Sequence, residues 1–136
     1  MTKRRSSDEL MKRFSSRYAE EATAAGRLVE RRVIGAAVGA NGYTTVAQAD
    51  QLVEALNLSP KSLLLDLGSG RGWPGLHVAA RAECRVVLSD VPEAAIRTAQ
   101  RRSADATDRV SLARASATHL PFAARSFDAI CHADTL

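Results

Sequence analysis

Residues Leu63 to Ala79 read LLLDLGSGRGWPGLHVA, and the fold follows from this stretch. Leu63, Leu64 and Leu65 form an apolar run without alternation, the pattern of a strand buried on both faces of a parallel sheet. Asp66 stands at the carboxyl end of that run. Gly68, Gly70 and Gly72 then alternate with Ser69 and Arg71. Glycine permits a positive φ and, lacking a Cβ, lets a ligand come up against the backbone. Pro74 suits the first turn of a helix, where its missing N–H would have no partner anyway. A ligand at this corner lies at a strand's carboxyl end and a helix's amino end, where open α/β sheets bind nucleotides.

The spacing is D-x-G-x-G-x-G, with an acid two residues before the first glycine. The third glycine of the dinucleotide-binding fingerprint would fall at position 73, which Trp73 occupies. An indole does not allow the close helix–strand packing that this glycine serves. The stretch resembles the first motif of the class I S-adenosylmethionine-dependent methyltransferases. A nicotinamide- or other nucleotide-binding fold is the competing reading.

The 136 residues are enough for one domain with a buried core, and 46% apolar with 25% charged residues is a soluble globular composition. No apolar run approaches the ~18 residues of a membrane span. The basic amino terminus has no apolar segment after it, so no secretory signal is expected and the cytoplasm is the expected location. Cys84 and Cys131 lie 47 positions apart among apolar neighbours and read as buried free thiols. His77, His119 and His132 are scattered, so no metal site is expected. The net charge of +4 is amino-terminal: residues 1–32 hold nine Lys/Arg against five Asp/Glu, and the remainder balances at ten and ten. Such a surplus can recruit nucleic acid or an acidic membrane. The solvated face of an amphipathic helix is the preferred reading, so neither partner is expected.

Residues 1–5 are expected to be disordered. Ser6 with Glu9 spells a capping box. Leu10, Phe14 and Tyr18 recur every four residues, with Met11, Ala22 and Ala25 near the same stripe, which predicts a core-facing helix. Gly26 is expected to interrupt that helix before Leu28, Val29, Val33 and Ile34 resume an apolar face. The uncharged segment Gly35 to Tyr43, GAAVGANGY, predicts a flexible lid that screens a reacting centre from water. Thr45 with Gln48 is a second capping box, and Val46 to Leu56 keep helical spacing up to Asn57. Ser59 and Pro60 make the turn into the leucine run.

Beyond the glycines a helix is predicted from Pro74 to Ala82, then a strand, Arg85 to Ser89, ending at Asp90. Asp90 lies 20 residues beyond Gly70, where nucleotide-binding α/β folds place an acid on the ribose hydroxyls. It is equally a candidate cap for a helix over Pro92 to Arg102. Val110 to Ala113 reads as a third strand and Asp128 to His132 as a fourth. Between them, Leu120-Pro121-Phe122 and Ser126-Phe127-Asp128 resemble the next signature of the same methyltransferase family. Ser116 departs from it, because the family usually has Asp there, accepting from the adenine amino group.

The resemblance covers about residues 40–136 and implies an α/β fold. Its core would be a Rossmann-like parallel sheet, the first four strands of a seven-stranded sheet ordered 3-2-1-4-5-7-6, with amino-terminal helices. Residues 1–44 would form a helical extension and lid, and 45–136 a domain for the cofactor S-adenosyl-L-methionine. By resemblance, Asp66 and the loop Gly68, Ser69, Gly70 and Gly72 meet the methionyl end. Asp90 with Val91 would meet the ribose, Ser116 and Ala117 the adenine, and Tyr43 with Thr44 would also bind the cofactor, a simple helix entry being the equal alternative for these two. His132 is the candidate acceptor-side base, and the LPF/SFD pattern points to a small-molecule methyl acceptor. The chain is expected to be truncated after the fourth strand, whose exposed edge invites self-association or a partner chain. Three readings stand: an active small-molecule methyltransferase, a non-catalytic cofactor-binding remnant or partner subunit, and an NAD-dependent dehydrogenase.

Overall fold

The leucine run becomes strand β1 (Leu63–Leu67), with Leu64, Leu65 and Asp66 fully buried. The computed structural model describes residues 6–40 and 42–134, and the expectation of disorder over residues 1–5 lies outside them. Around β1 stand β2 (Arg85–Asp90), β3 (Val110–Arg114) and β4 (Ala129–His132), in the order β3-β2-β1-β4 with every pairing parallel. This is the predicted class and strand order. The helices are α1 (Ser7–Ala19), α2 (Ala24–Ile34), α3 (Val46–Leu56), α4 (Gly75–Ala82) and α5 (Glu93–Arg102). The crossovers β1-α4-β2 and β2-α5-β3 advance in the same direction, so their right-handedness stacks α4 and α5 on one face. The core lies there: Leu64, Val86 and Leu88 pack with Val78 and Ala79 of α4, Leu52 and Val53 of α3, and the buried free thiols Cys84 and Cys131.

The SFD signature sets the register of β4. Asp128 accepts a hydrogen bond from the Leu63 N–H through Oδ2 at 2.7 Å, and its own N–H donates to Leu63 O at 2.9 Å. Phe122 and Phe127 meet edge to face with centroids 5.0 Å apart. Beside buried Leu65, its register partner Ile130 on β4 is 54% exposed.

The amino-terminal helices depart from expectation. Both predicted capping boxes are present, on α1 and α3. Helix α1, however, buries no residue, and Phe14 remains 42% exposed. Its apolar stripe does not face the core, because the helix lies over a cavity at the carboxyl ends of the strands. The break between α1 and α2 precedes Gly26, since Thr23 caps α2 by accepting the Gly26 N–H at 3.0 Å. On α2 only Ile34 is buried, while Leu28, Val29 and Val33 are exposed.

Candidate functional site: the glycine turn and the cavity above it

The turn after β1 has the backbone that its glycines allow. Gly68, Gly70 and Gly72 sit at φ 65°, 53° and 96°, conformations that side-chain-bearing residues rarely adopt. The N–H groups of Gly68 and Ser69 donate to Ser89 O at 2.8 and 3.1 Å. The Gly70 N–H donates to Asp90 Oδ2 at 2.8 Å, and Asp90 Oδ1 accepts from the Val91 N–H at 2.7 Å. The acid at the end of β2 thus pins the turn at the end of β1. Burial raises the Asp90 pKa, opposed by the two N–H groups. Asp90 does not cap α5, which starts behind Pro92 with no side-chain cap. Its carboxylate is turned to the glycine turn instead.

Close packing of helix on strand falls to Gly75. A Cβ there would stand 2.4 Å from Asp66 Oδ2 and 2.9 Å from Leu88 Cδ2. Asp66 Oδ2 accepts the Gly75 N–H at 2.9 Å, holding the amino end of α4 against the sheet. Helix α4 therefore begins at Gly75, one residue later than expected, with Pro74 as its flanking residue. Burial pushes the Asp66 pKa up to about 7, with the Gly75 N–H and the Cys131 thiol pulling the other way.

Above the turn is a cavity of about 400 Å³, within the usual range of small-molecule sites. The glycine turn and Asp90–Pro92 form one side, and Met11, Phe14 and Tyr18 of α1 form another. Ser69 lines it while only 2% exposed, and its Oγ has no hydrogen-bond partner among the described residues. Gly42 and Tyr43 complete the wall with Ala133 and Asp134.

Two carboxylates tie down the segment expected to be a lid. Glu30 Oε1 accepts the N–H groups of Val38 and Ala40 at 3.1 and 2.7 Å. Asp134 Oδ2 accepts the Tyr43 N–H, the Thr44 N–H and the Thr44 hydroxyl at 2.9, 3.1 and 2.9 Å. Arg102 also donates to Val38 O. The two large side chains of the glycine turn reach the same cover. Trp73 Nε1 donates to Thr44 O at 2.8 Å, and Arg71 Nη2 donates to Arg17 O and Glu20 O at 2.7 Å each.

The structure thus brings Tyr43, Gly68, Ser69, Gly70, Asp90 and Val91 to one cavity. Gly72 lies behind the wall, its missing Cβ leaving room for Leu76. Asp66, Ser116 and Ala117 do not line the cavity, and the Ser116 hydroxyl meets Thr118 Oγ1 at 2.8 Å. His132 lines an adjoining groove of about 440 Å³, which shares Tyr43, Ala133 and Asp134 with the first. Sequence reasoning missed Phe14, Tyr18, Arg71 and Gly75. The four-residue aromatic spacing on an otherwise polar helix was the available signal for the first two, whose rings are 6.3 Å apart.

Residues 64–136 match the profile of the methyltransferase-domain family. The chain belongs to that family. Its class is the class I S-adenosylmethionine-dependent methyltransferases, and the family's cofactor is S-adenosyl-L-methionine. Methyltransferase GfsG of Streptomyces halstedii is 37% identical over 83 residues, covering 60% of this chain and 30% of that protein. The 27-O-demethylrifamycin SV methyltransferase of Amycolatopsis mediterranei is 32% identical over 94 residues, covering 68% of this chain and 35% of that protein. The chain spans about a third of the length of these curated relatives. An RNA methyltransferase from Salinibacter ruber, solved with S-adenosyl-L-homocysteine, superposes with a TM-score of 0.53 at 22% identity, covering 57% of this chain and 52% of that one. That likeness is one of fold. Family membership decides against the dehydrogenase reading.

Proposed function

We propose that the cavity binds S-adenosyl-L-methionine and that the chain forms the donor side of a methyltransferase for small-molecule acceptors. The observation that carries this reading is the left-handed glycine turn pinned by Asp90 beneath a cavity of about 400 Å³. The orphaned Ser69 hydroxyl fits a polar ligand there. In this reading Gly68, Ser69 and Gly70 meet the methionyl end and Asp90 with Val91 the ribose, while Ser116 and Ala117, outside the cavity wall, are the adenine candidates by family resemblance alone. Asp66 acts from beneath by fixing Gly75. The cofactor supplies an electrophilic methyl group on a sulfonium. The chain's part is to orient donor and acceptor for an in-line displacement and to exclude water. Phe14, Tyr18 and Tyr43 of the cover serve the second task, which makes 1–44 the cover and 45–136 the binding domain. Small acceptors are favoured by the named substrate of the Amycolatopsis relative, a demethylrifamycin.

His132, in the adjoining groove, is the acceptor-side candidate of this reading. A cytoplasmic location belongs to it as well, and no helix among the described residues is long and apolar enough to cross a membrane. Self-association or a partner chain at the β4 edge is supported by exposed Ile130, and a monodisperse monomer by light scattering would count against it.

Titration calorimetry tests the donor site. S-adenosylmethionine and S-adenosylhomocysteine are expected to bind and NAD not to. Asp90→Ala should weaken binding by roughly tenfold or more, the scale of a charge-assisted hydrogen bond. Unchanged affinity in that variant would show that Asp90 does not hold the ribose.

A further inference from the structure

We propose that Arg71 is a positioning residue that couples occupancy of the glycine turn to the seating of α1 over the cavity. The inference rests on the donor-site reading above. Arg71 lies between Gly70 and Gly72, both left-handed, so its backbone follows the turn that would touch the ligand. Its guanidinium reaches back to the far end of α1 and donates to the carbonyls of Arg17 and Glu20 at 2.7 Å each. Carbonyls in a helix's last turn lack intrahelical donors and carry the negative end of the dipole, so a cation there holds the helix by its end. The helix rests on the surface of α5 rather than in the core. It buries no side chain, and one bond to α5 runs from Thr98 Oγ1 to Tyr18 O at 3.2 Å. The same helix contributes Met11, Phe14 and Tyr18 to the cavity wall. A ligand lying along the turn gives those side chains an apolar surface to cover, while Arg71 holds the helix at the right height. Removing Arg71 leaves the contacts of β1, β2 and α4 and the Trp73–Thr44 bond intact but takes away the turn's hold on the end of α1.

The test is limited trypsinolysis of the full chain with and without S-adenosylhomocysteine, following cleavage after Lys12, Arg13 and Arg17. Fluorescence of Trp73, the single tryptophan, reports binding separately. In the wild type the ligand should slow cleavage within α1 about tenfold or more, as closure of a locally open segment does. In Arg71→Met, binding should persist with affinity reduced about tenfold, and protection should be lost even at saturation. Arg71→Lys, which keeps a cationic donor, should restore part of that protection. Arg71→Gln, an uncharged donor, reads the same difference if the methionine variant does not fold. Saturated Arg71→Met protected like the wild type would overturn the coupling while leaving the donor site standing. No fluorescence response in the wild type would overturn both.

Discussion

Asp66 makes the fold measurably sensitive to pH. Its side chain is fully buried beneath the glycine turn, and burial pushes its pKa from 3.8 up to about 7. A carboxyl whose pKa is raised in the folded state holds its proton there more tightly than in the unfolded chain. Between about pH 4 and pH 7 the native state therefore binds more protons than the unfolded state, and stability falls as pH rises. The slope in that window is about 1.36 kcal/mol per pH unit, so the loss from pH 5 to pH 8 comes to roughly 2.5 kcal/mol. With a urea m-value of about 2 kcal/mol/M, the unfolding midpoint should drop by on the order of 1 M. Asp66→Asn keeps an acceptor for the Gly75 N–H and removes the titration. Urea unfolding at pH 5, 6, 7 and 8, followed by circular dichroism, should show a falling wild-type midpoint and a much flatter one for the variant. Subtracting the two series cancels Asp90, whose raised pKa acts in the same direction. Parallel series for the two proteins would refute the reasoning.

Gly75→Ala places a methyl group 2.4 Å from Asp66 Oδ2 and should cost about 1–3 kcal/mol, read as a lower melting temperature. Trp73→Phe removes the indole donor to Thr44 O, and calorimetry should show S-adenosylhomocysteine affinity weakened several-fold with the melting temperature changed little. Asp128→Ala removes the acceptor for the Leu63 N–H and should destabilise by about 1–2 kcal/mol in a thermal melt. Its ligand affinity should stay unchanged, because Asp128 does not line the cavity.

The sheet was legible because burial writes itself into composition. An unbroken leucine run, an alternating glycine turn and an acid 20 residues on leave few arrangements besides β1, its turn and β2. Helix α1 was legible only as a helix. Its four-residue apolar spacing shows that one face avoids water, but not whether that face meets a core or the wall of a cavity. The distinction depends on what lies 50 or more positions away, at Arg71 and Thr98, and no local period encodes it. Gly75 was missed for a related reason. The dinucleotide fingerprint places its packing glycine at position 73, whereas here the approach to Asp66 and Leu88 happens two residues later. The tether on Asp134 is likewise long-range and that on Glu30 spans eight to ten positions, and glycine content alone made their loop look freer than its hydrogen bonds leave it.

Asp90 shows how a structural and a binding role can share one carboxylate. Each oxygen accepts one backbone N–H, from Gly70 and Val91, and each retains a second lone pair for a ligand hydroxyl. Ribose binding at Asp90 therefore need not break the bond that shapes the turn, and the two roles should fail together when the charge is removed. Asp90→Asn offers an N–H₂ group to one of those two N–H donors, replacing an attraction with a clash of donors. The cost, about 1.5–3 kcal/mol for a charge-assisted bond, should lower the melting temperature of the ligand-free protein by roughly 4–10 °C. Calorimetry on the same variant should show the affinity loss on top of it. A variant that melts like the wild type yet binds poorly would mean that Asp90 serves the ligand alone and that the glycines hold their left-handed turn without it.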